Sequence, residues 1–516
     1  MKLVTAEQMR GLDNAAINTF KIPSLELMEN AGRRTVEVLL EKYGDPQGRQ
    51  VAVFAGPGNN GGDGLVIARL LAARMARPKV FLLVPVSRLK GDAAANLARI
   101  HEFPVEIIEL AGSADLSDIQ TFIADCWAVV DAIFGTGLTR EVSGIFAEAI
   151  KIINKASCPV VAVDIASGLN ADNGKILGSC VLADLTVTFG QAKIGQAVYP
   201  GRDCTGLLKV VDIGIPDKAV AETRISTELL GREVGKFLPA RIPSAHKGTY
   251  GHLLVLAGSL GKTGAAILCG LGALRSGTGL VTLCVPYDLN NIIETSLWEA
   301  MTIPLQSTAR EFFSIEDYRV IQDALFGKQA LSIGPGIGTA AETSELMIEL
   351  YLETQIPMVV DADGLNILAA DPEILKKAAG PRILTPHPGE MARLTGLTNK
   401  EIQENRLEVA RDFANTFNVY VVLKGADTLV ADPAGRLAIN ATGNPGMACG
   451  GMGDVLTGII GGFLAQGLSP WQASCLGVYS HGLAADSLSA EAGAGYLASE
   501  VAHEIPYVLE ILRNPV

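Results

Sequence analysis

Repeated apolar strands, each followed by a short glycine-rich or polar stretch and then a helical pattern, constrain the fold of this chain most strongly. The first half contains QVAVFAG (50–56), AVVDAIFG (128–135) and PVVAVDIASG (159–168). The second half restarts the pattern with GHLLVLAG (251–258) and MVVDADGLNIL (358–368). Strands that alternate with crossover helices form parallel sheets covered by helices on both faces. We therefore predict an α/β protein in which each half forms a three-layer α/β/α sandwich.

A polar segment separates the two series of strands. Residues 217–248 contain no long apolar strand in their middle. The chain has 516 residues, which exceeds the usual size of one domain. We predict a first domain over residues 1–219 and a second over residues 220–516.

The densest glycine run, GNPGMACGGMGDVLTG (443–458), stands immediately before a helical pattern. Glycines let backbone N–H groups approach a phosphate, and a helix N-terminus adds unsatisfied donors. Asp454 lies beside this predicted anion site, where a carboxylate is repelled unless it takes part in the reaction. Its chemistry is that of a general base for a hydroxyl that attacks phosphorus. The alternative is that Asp454 only caps the helix.

A second candidate site lies in the first half of the chain. The stretch PGNNGGDG (57–64) follows one strand, and Asp131 and Asp164 end two others. The carboxyl ends of parallel strands meet at one edge of a sheet, where open α/β folds bind ligands. The amide and carboxyl oxygens suit a cation, a ribose or an amide ligand better than a bare phosphate. A glycine-rich turn closed by Asx hydrogen bonds is the alternative for residues 57–64.

Composition argues against several classes of function. The formal net charge of -13 argues against a general nucleic-acid or anionic-membrane surface. The eight cysteines contain no CxxC pair, and we predict reduced thiols. No run reaches the roughly 18 apolar residues of a membrane span, and the N-terminus lacks an apolar signal core. We predict a cytoplasmic protein with no nucleic-acid or membrane partner.

Motifs in the second half resemble those of one enzyme family. KGADT (424–428), followed by a strand and then GGMGDVLTG (450–458), resembles the carboxyl-terminal module of the ribokinase-like superfamily. GPGIG (334–338), DADGLN (361–366) and TPHPGE (385–390) are similar to motifs of the ADP-dependent NAD(P)H-hydrate dehydratases. The resemblance implies a ribokinase-like second domain that dehydrates the S form of hydrated NADH or NADPH, using ADP and releasing AMP and phosphate.

Motifs in the first half resemble those of a second family. NNGGDG (59–64), DAIFGTG (131–137) and VDIASGL (163–169) are similar to motifs of the NAD(P)H-hydrate epimerases, and they imply a Rossmann-like first domain that interconverts the R and S hydrates. The order of the two matches resembles the bifunctional nicotinamide nucleotide repair enzymes. Relatives commonly assemble, so a homo-oligomer is expected.

The resemblance also implies roles for individual residues. Asp454 would be the catalytic base of the dehydratase, and Asp164 our choice for acid–base work in the epimerase. The hydrated dinucleotide would contact Ala265, Gly336, His387 and Asp454 in the dehydratase. The nucleotide would contact Lys424, Gly425, Ala426, Asp427, Thr428 and Gly453. For His387, a structural histidine beside two prolines is an equally good interpretation.

The epimerase residues implied by the resemblance form a substrate set and a cation set. In the dehydratase, by contrast, magnesium is expected on the ADP phosphates, without a recognisable protein ligand. A potassium ion would be held by Asn60, Asp131 and Ser167. The epimerase substrate would contact Asn59, Asn60, Gly61, Gly62, Asp63, Gly135, Thr136, Gly137, Leu138, Thr139, Arg140, Glu141 and Asp164.

Two other functions stay open at this point. An ATP-dependent small-molecule kinase of the ribokinase-like superfamily, acting on a vitamin precursor, would release a stable phosphorylated product. A nucleotide-binding regulatory protein would use the first domain for interactions and have no activity there.

Overall fold

The computed structural model describes residues 1–110, 116–305 and 312–514, and it divides into two compact units. One unit spans Lys2–Thr227, and the other comprises Met1 and Glu228–Val516. Ala219 lies in the core of the first unit, with Val220 and Ile225 packed against it. The structural division therefore falls later in the chain than the domain boundary at 219/220, which stays a prediction.

The first unit is built on a parallel sheet. Seven strands lie in the order β4-β3-β2-β5-β6-β7-β9, and β1 pairs separately with β8. The order reverses between β2 and β5, as in Rossmann-like folds, which bind ligands beyond the carboxyl ends of the strands at that point. The elements are β1 Lys2–Val4, α1 Ala6–Asn14, α2 Ser24–Tyr43, β2 Gln50–Ala55, α3 Asn59–Ala72, β3 Arg77–Leu82, α4 Gly91–Ile100, β4 Glu106–Glu109, α5 Leu116–Ala124, β5 Ala128–Ala132, α6 Gly144–Ile153, β6 Val160–Val163, β7 Leu185–Phe189, β8 Ala192–Lys193, α7 Gly201–Thr205, β9 Leu207–Val211 and α8 Asp217–Glu222.

Helices cover both faces of this sheet. In β2, Val51, Val53 and Ala55 pack in one cluster with residues of α2, α3 and α4. Ala52 and Phe54 point to the other face and pack in a second cluster with residues of α5 and α6. Because neighbouring residues of a strand face opposite sides, an unbroken apolar strand indicates two covered faces. The predicted three-layer sandwich is confirmed for the first unit.

The second unit repeats this plan on a longer sheet. Its strands lie in the order β13-β12-β11-β14-β15-β16-β17-β18-β19, and only the pairings of β18 are antiparallel. The elements are β10 Thr227–Leu229, which spans the division, β11 His252–Leu256, α9 Thr263–Arg275, β12 Leu280–Pro286, α10 Asn290–Ser296, β13 Met301–Leu305, α11 Tyr318–Leu325, β14 Ala330–Ile333, α12 Ala341–Glu353, β15 Met358–Val360, α13 Asp363–Leu368, β16 Arg382–Leu384, α14 Pro388–Thr395, α15 Asn399–Glu404, α16 Arg406–Phe417, β17 Tyr420–Leu423, β18 Thr428–Ala431, β19 Leu437–Asn440, α17 Met452–Ala465, α18 Pro470–Ala492 and α19 Ala498–Arg513.

The core of the second unit also has two sides. Leu253 and Val255 of β11 pack with α9, α17, α18 and α19, whereas Leu254 and Leu256, which face the opposite side, are fully buried as well. The predicted fold class, two α/β domains, is confirmed. All eight cysteines are free, and six of them are buried. Across the described ranges, no helix is both long and apolar enough to cross a membrane.

Candidate active sites

A cavity of about 520 Å3 opens at the carboxyl ends of β2, β5 and β6 in the first unit. Most of the substrate residues predicted for this unit line the cavity. Gly61, Gly62 and Glu141 do not. The predicted residues that line it are Asn59, Asn60, Asp63, Gly135, Thr136, Gly137, Leu138, Thr139, Arg140 and Asp164.

The glycines of NNGGDG lie in the first turns of α3 and not in a loop. A Cβ on Gly61 would stand 2.1 Å from the carbonyl oxygen of Gly56, and one on Gly64 would stand 2.6 Å from the Cβ of Ala132. Both distances are shorter than a van der Waals contact. These glycines therefore let α3 pack directly against the sheet and bring Asn60 and Asp63 to the cavity wall.

Asp164 forms a buried ion pair on the cavity wall. Asp164 directly follows β6, and its φ of +64° places its backbone in the left-handed region. Lys193 donates from Nζ to Oδ1 of Asp164, to Oγ1 of Thr188 at 2.8 Å and to the carbonyl oxygen of Phe189 at 3.3 Å. The Lys193 side chain is fully buried, so its charge is compensated chiefly by Asp164.

Two further carboxyl groups share the cavity with Asp164. Asp13 comes from α1 and Asp63 from α3. Burial, reinforced by the Asp164 carboxylate, raises the pKa of Asp13 to about 6. Burial and the same neighbour raise the pKa of Asp63 well above its usual range. Burial therefore brings the pKa of Asp13 close to neutral pH and shifts that of Asp63 in the same direction.

The three residues predicted to hold potassium lie together at the base of this site. Ser167 donates from Oγ to Oδ1 of Asp131 at 2.6 Å and from its backbone N to Oδ2 at 2.8 Å. Asn60 donates from Nδ2 to the carbonyl oxygen of Phe134 at 3.0 Å, while its Oδ1 is buried without a hydrogen-bond partner. Burial raises the pKa of Asp131 to about 6. In the part of the chain that the structure describes, no lysine or arginine pairs with Asp131.

The second unit places Asp454 in the first turn of α17, beside a buried ion pair. Lys424 donates from Nζ to Oδ1 of Asp361 at 2.7 Å, and Thr457 donates from Oγ1 to Oδ2 of Asp361 at 2.7 Å. Oε2 of Glu390 lies 3.9 Å from the same Nζ. Burial acts to lower the pKa of Lys424, but the two carboxylates outweigh it and raise the pKa. Lys424 is therefore a fixed positive charge at the N-terminal end of α17.

Burial, and then repulsion from Asp361, raises the pKa of Asp454 to about 6, against the opposing effect of Lys424. A carboxyl group with this pKa is mostly ionised at pH 7 and still basic enough to accept a proton. The geometry therefore suits Asp454 to general-base catalysis.

Known protein families match both halves of the chain that contain these sites. The profile described as YjeF-related protein N-terminus matches residues 24–195, and the profile described as NAD(P)H-hydrate dehydratase matches residues 253–507. A bifunctional NAD(P)H-hydrate repair enzyme of Moorella thermoacetica is 45% identical over 100% of this chain and 98% of its own. The chain belongs to the bifunctional NAD(P)H-hydrate repair enzyme family. The predicted family is confirmed.

Other members of the repair enzyme family are similar along their whole length. The enzyme of Thermofilum pendens is 37% identical over 100% of this chain and 97% of its own length. The enzyme of Escherichia coli is 36% identical over 96% of this chain and 92% of its own length. A solved ADP/ATP-dependent NAD(P)H-hydrate dehydratase of Bacillus subtilis, co-crystallised with ATP and Mg2+, is 34% identical, covering 55% of this chain and 98% of that one at a TM-score of 0.49. The predicted enzyme class, with epimerase and dehydratase activity on NAD(P)H hydrate, is confirmed by the family.

Two of the residues predicted to contact the dinucleotide in the repair enzyme's dehydratase unit are neighbours. A Cβ on Gly336 would stand 3.1 Å from the Cβ of Ala265. Ser259 donates from Oγ to the carbonyl oxygen of Gly336 at 2.7 Å, which fixes the two loops together. Gly336 has a φ of +67°, so a larger residue would strain the backbone and close the space. Their binding role stays a prediction.

His387 caps α14. Its Nδ1 accepts a hydrogen bond from the backbone N of Gly389 at 2.9 Å, and its own backbone N donates to Oε2 of Glu390 at 2.8 Å. This is a capping box, the structural alternative raised by the sequence. The ring is half exposed, and Nε2 lies 3.5 Å from Oε1 of Glu390. Glu390 also lies near Lys424, so the capping box is next to the predicted nucleotide site. A substrate contact by the half-exposed ring of His387 stays a prediction.

The predicted nucleotide residues form the turn between β17 and β18. Arg406, on α16, donates to the carbonyl oxygens of Leu423 at 3.2 Å, Lys424 at 3.3 Å and Asp427 at 3.5 Å. Gly425 has a φ of +138°, and a Cβ there would stand 2.9 Å from Nη1 of Arg406. The turn also meets the glycine run, because a Cβ on Gly453 would stand 3.2 Å from Nζ of Lys424. Arg406 therefore holds the predicted nucleotide turn in shape.

Several groups at the two sites escaped prediction. Lys193 stands in the short stretch GQAKIGQ (190–196) after β7, which carries no recognisable motif, and Arg406 begins a helix with ordinary charge patterning. Asp13 carried the clearest signal, because it stands between Leu12 and Ala16, both buried, on a helix that otherwise packs its apolar residues inward. A carboxyl group next to a buried helix face is unusual enough to mark as a candidate.

Proposed function

We propose that residues 1–219 interconvert the R and S hydrates of NADH or NADPH, and that residues 220–516 dehydrate the S form with ADP. The observation that carries this proposal is that each unit holds its own carboxyl group beside a lysine that is fully or largely buried, at the carboxyl ends of its sheet. Asp164 pairs with Lys193 in one unit, and Asp454 stands beside Lys424 in the other. Two sites with separate chemistry fit the two-step repair that the family performs.

Dehydration needs a better leaving group than hydroxide. Asp454 accepts the proton of the C6 hydroxyl while that oxygen attacks the β-phosphorus of ADP, and AMP leaves. Backbone N–H groups of Gly450–Gly453 and the Lys424 ammonium stabilise the charge on the transferring phosphoryl group. The ring nitrogen lone pair then expels phosphate from C6, and loss of the C5 proton restores the double bond. The products are NADH or NADPH, AMP and phosphate.

The proposal also assigns ligands in the second unit. Lys424–Thr428 and Gly453 contact the nucleotide, and Ala265, Gly336, His387 and Asp454 contact the hydrated dinucleotide. Magnesium would enter with the ADP phosphates and neutralise part of their charge. We further propose a cytoplasmic location, in keeping with the free cysteines, and a homo-oligomer, which the family resemblance implies.

In the first unit, Asp164 serves as the acid–base group at C6. Residues Asn59–Asp63 at the start of α3 and Gly135–Glu141 in the loop after β5 hold the substrate. Lys193 keeps Asp164 oriented toward the cavity through its hydrogen bond. The polar walls orient the hydrated ring, and the apolar residues Leu27, Met28 and Phe189 exclude bulk water from it.

Potassium fits the cluster of Asn60, Asp131 and Ser167. The unpartnered Oδ1 of Asn60 and the uncompensated buried carboxylate of Asp131 are oxygen donors of the kind that an alkali cation accepts. The ion would tie together the carboxyl ends of β2, β5 and β6, because Asn60 follows β2, Asp131 lies in β5 and Ser167 follows β6.

Replacing potassium with tetramethylammonium is expected to lower both the epimerase rate and the melting temperature. An ion at 100 times its Kd stabilises the native state by about 2.7 kcal/mol. Differential scanning fluorimetry in the two salts at equal ionic strength measures the shift. Asp131→Asn should show no difference between salts. An equal shift in wild type and Asp131→Asn would count against the site.

Arg406→Ala is expected to raise the KM for ADP at least tenfold, because the turn over Lys424–Thr428 loses its three carbonyl contacts and a loss of about 1.4 kcal/mol of binding free energy is already tenfold. Initial rates of NADH recovery at varied ADP give the value. The matched control is Arg436→Ala, which removes an arginine that pairs with Asp432 and lies over the ring of Trp471 instead of contacting the turn. A fall in kcat at unchanged KM would show that the turn is not the nucleotide site.

Incubation of purified chain with S-NADH hydrate and ADP or ATP tests the function as a whole. We expect NADH absorbance at 340 nm to appear together with one AMP, or one ADP, and one phosphate per NADH. Phosphorus NMR distinguishes the rival kinase, which would accumulate a stable phosphorylated product. No recovery of NADH with either donor would exclude the dehydratase.

A further inference from the structure

We propose that Asp13 is a second proton-transfer residue of the epimerase cavity, acting together with Asp164; this rests on the epimerase function proposed above. Asp13 lies on α1, before residues 24–195 that match the profile described as YjeF-related protein N-terminus. Met9, Arg10 and Ile17, from the same segment, line the cavity with it. The N-terminal segment is therefore part of the wall of this site.

Epimerisation at C6 by loss and return of water needs proton transfer on two faces of the ring. A carboxylic acid gives its proton to the C6 hydroxyl as the C6–O bond breaks, and the ring nitrogen lone pair forms a C6=N1 iminium ion. Water then adds to the opposite face, the C6–O bond forms again, and a carboxylate accepts the released proton. No oxidant or reductant is required. The departing and returning oxygens lie on opposite faces, so carboxyl groups at two points of the wall serve both steps.

The charges in the cavity fit a division of the two proton transfers between Asp13 and Asp164. Lys193 compensates Asp164 directly, whereas no donor or cation among the described residues pairs with Asp13. A half-buried carboxyl group without a partner carries its proton more readily, and the pKa of Asp13 lies at about 6 through burial and the nearby Asp164. Such a group can both donate and accept a proton near neutral pH. The charged groups around it in the cavity are Arg10, Asp63, Asp92, Arg140, Asp164 and Lys193.

A structural role for Asp13 has no support in its contacts. It caps neither end of α1, since Thr5 caps the N-terminus and the C-terminal backbone continues into the next turn. A carboxyl group whose pKa is raised on folding destabilises the native state at neutral pH, so its replacement by an amide should not unfold the chain. We therefore attribute the position of Asp13 to proton transfer in the cavity.

Conversion of R to S hydrate by full-length Asp13→Asn, followed by chromatographic separation of the epimers, tests the proposal. We expect kcat to fall about 100-fold with KM changed less than about threefold, and the change in kcat near pH 6 to disappear. Asp13→Glu should recover part of the rate. Dehydration of S hydrate should stay at the wild-type rate, and the melting temperature should not fall.

Glu7→Gln is the matched control, because Glu7 is an exposed acidic residue on the same helix. Asp13→Asn with kcat within about threefold of wild type would overturn the proposal, as would a loss of rate that follows a loss of folded protein by thermal melting. If the wild-type chain itself does not convert R to S hydrate, the epimerase function fails instead, and the two failures are distinguishable.

Discussion

Asp454→Asn is expected to reduce ADP-dependent recovery of NADH from S hydrate by about 1000-fold, because an amide cannot accept the proton of the C6 hydroxyl. The substitution keeps the size and shape of the side chain, so nucleotide binding at Lys424 should change little. Initial rates at 340 nm measure the loss. Conversion of R to S hydrate should continue at the wild-type rate, because Asp164 lies in the other unit.

The same carboxyl group predicts how activity and stability depend on pH. Wild-type dehydration should fall as the pH drops through about 6, where Asp454 takes up a proton. Its pKa is higher in the folded chain than the ordinary value of 3.8, so the stability it contributes at low pH is lost as the pH rises through 6. Asp454→Asn should therefore melt no lower than wild type at pH 7. A large loss of stability would attribute the loss of activity to misfolding and contradict the assignment.

Asp164→Asn is expected to slow conversion of R to S hydrate by about 100-fold or more, since it removes the acid–base group nearest Lys193. It also leaves a fully buried ammonium without its carboxylate, which costs about 3 kcal/mol of folding free energy. Separation of the epimers by chromatography gives the rate, and circular dichroism gives the fraction folded at the assay temperature.

Asp164→Asn with Lys193→Met separates chemistry from folding. Removing both charges should restore much of the stability without restoring the rate, because a neutral pair no longer leaves a buried charge exposed to an apolar wall. Dehydration of S hydrate should be unaffected in both variants. Epimerisation at the wild-type rate in the stable double variant would show that Asp164 is not the acid–base group.

The fold and one half of the chemistry could be predicted from the sequence. Apolar strands that end in aspartate or glycine identified both parallel sheets, because each strand carries its burial pattern locally. Asp454 was also recognisable from local sequence, because the glycine run and the helix that it precedes are contiguous in the chain. Local sequence also gave the polar stretches after β2, β5 and β6, which the structure brings to one cavity.

Partners that lie far apart in the chain could not be predicted. Lys424 and Asp361 are 63 residues apart and join only when β15 and β17 take their places in the sheet. Asp13 reaches the cavity only through the packing of α1. The glycines after Asn59 looked like a ligand loop, whereas their main effect is to let α3 approach the sheet. In each case tertiary packing, which no local pattern encodes, decided the role.

Mixing the Asp164→Asn and Asp454→Asn chains tests most directly the claim that this repair enzyme has two independent sites. The measurement is NADH recovered at 340 nm from pure R hydrate with ADP, against each variant alone and a blank without enzyme. We expect each variant alone to recover NADH slowly, at the rate of the step that its substitution impairs. The mixture should recover the whole pool, since S hydrate made by one chain diffuses to the other. A mixture no better than either variant would contradict two separate sites.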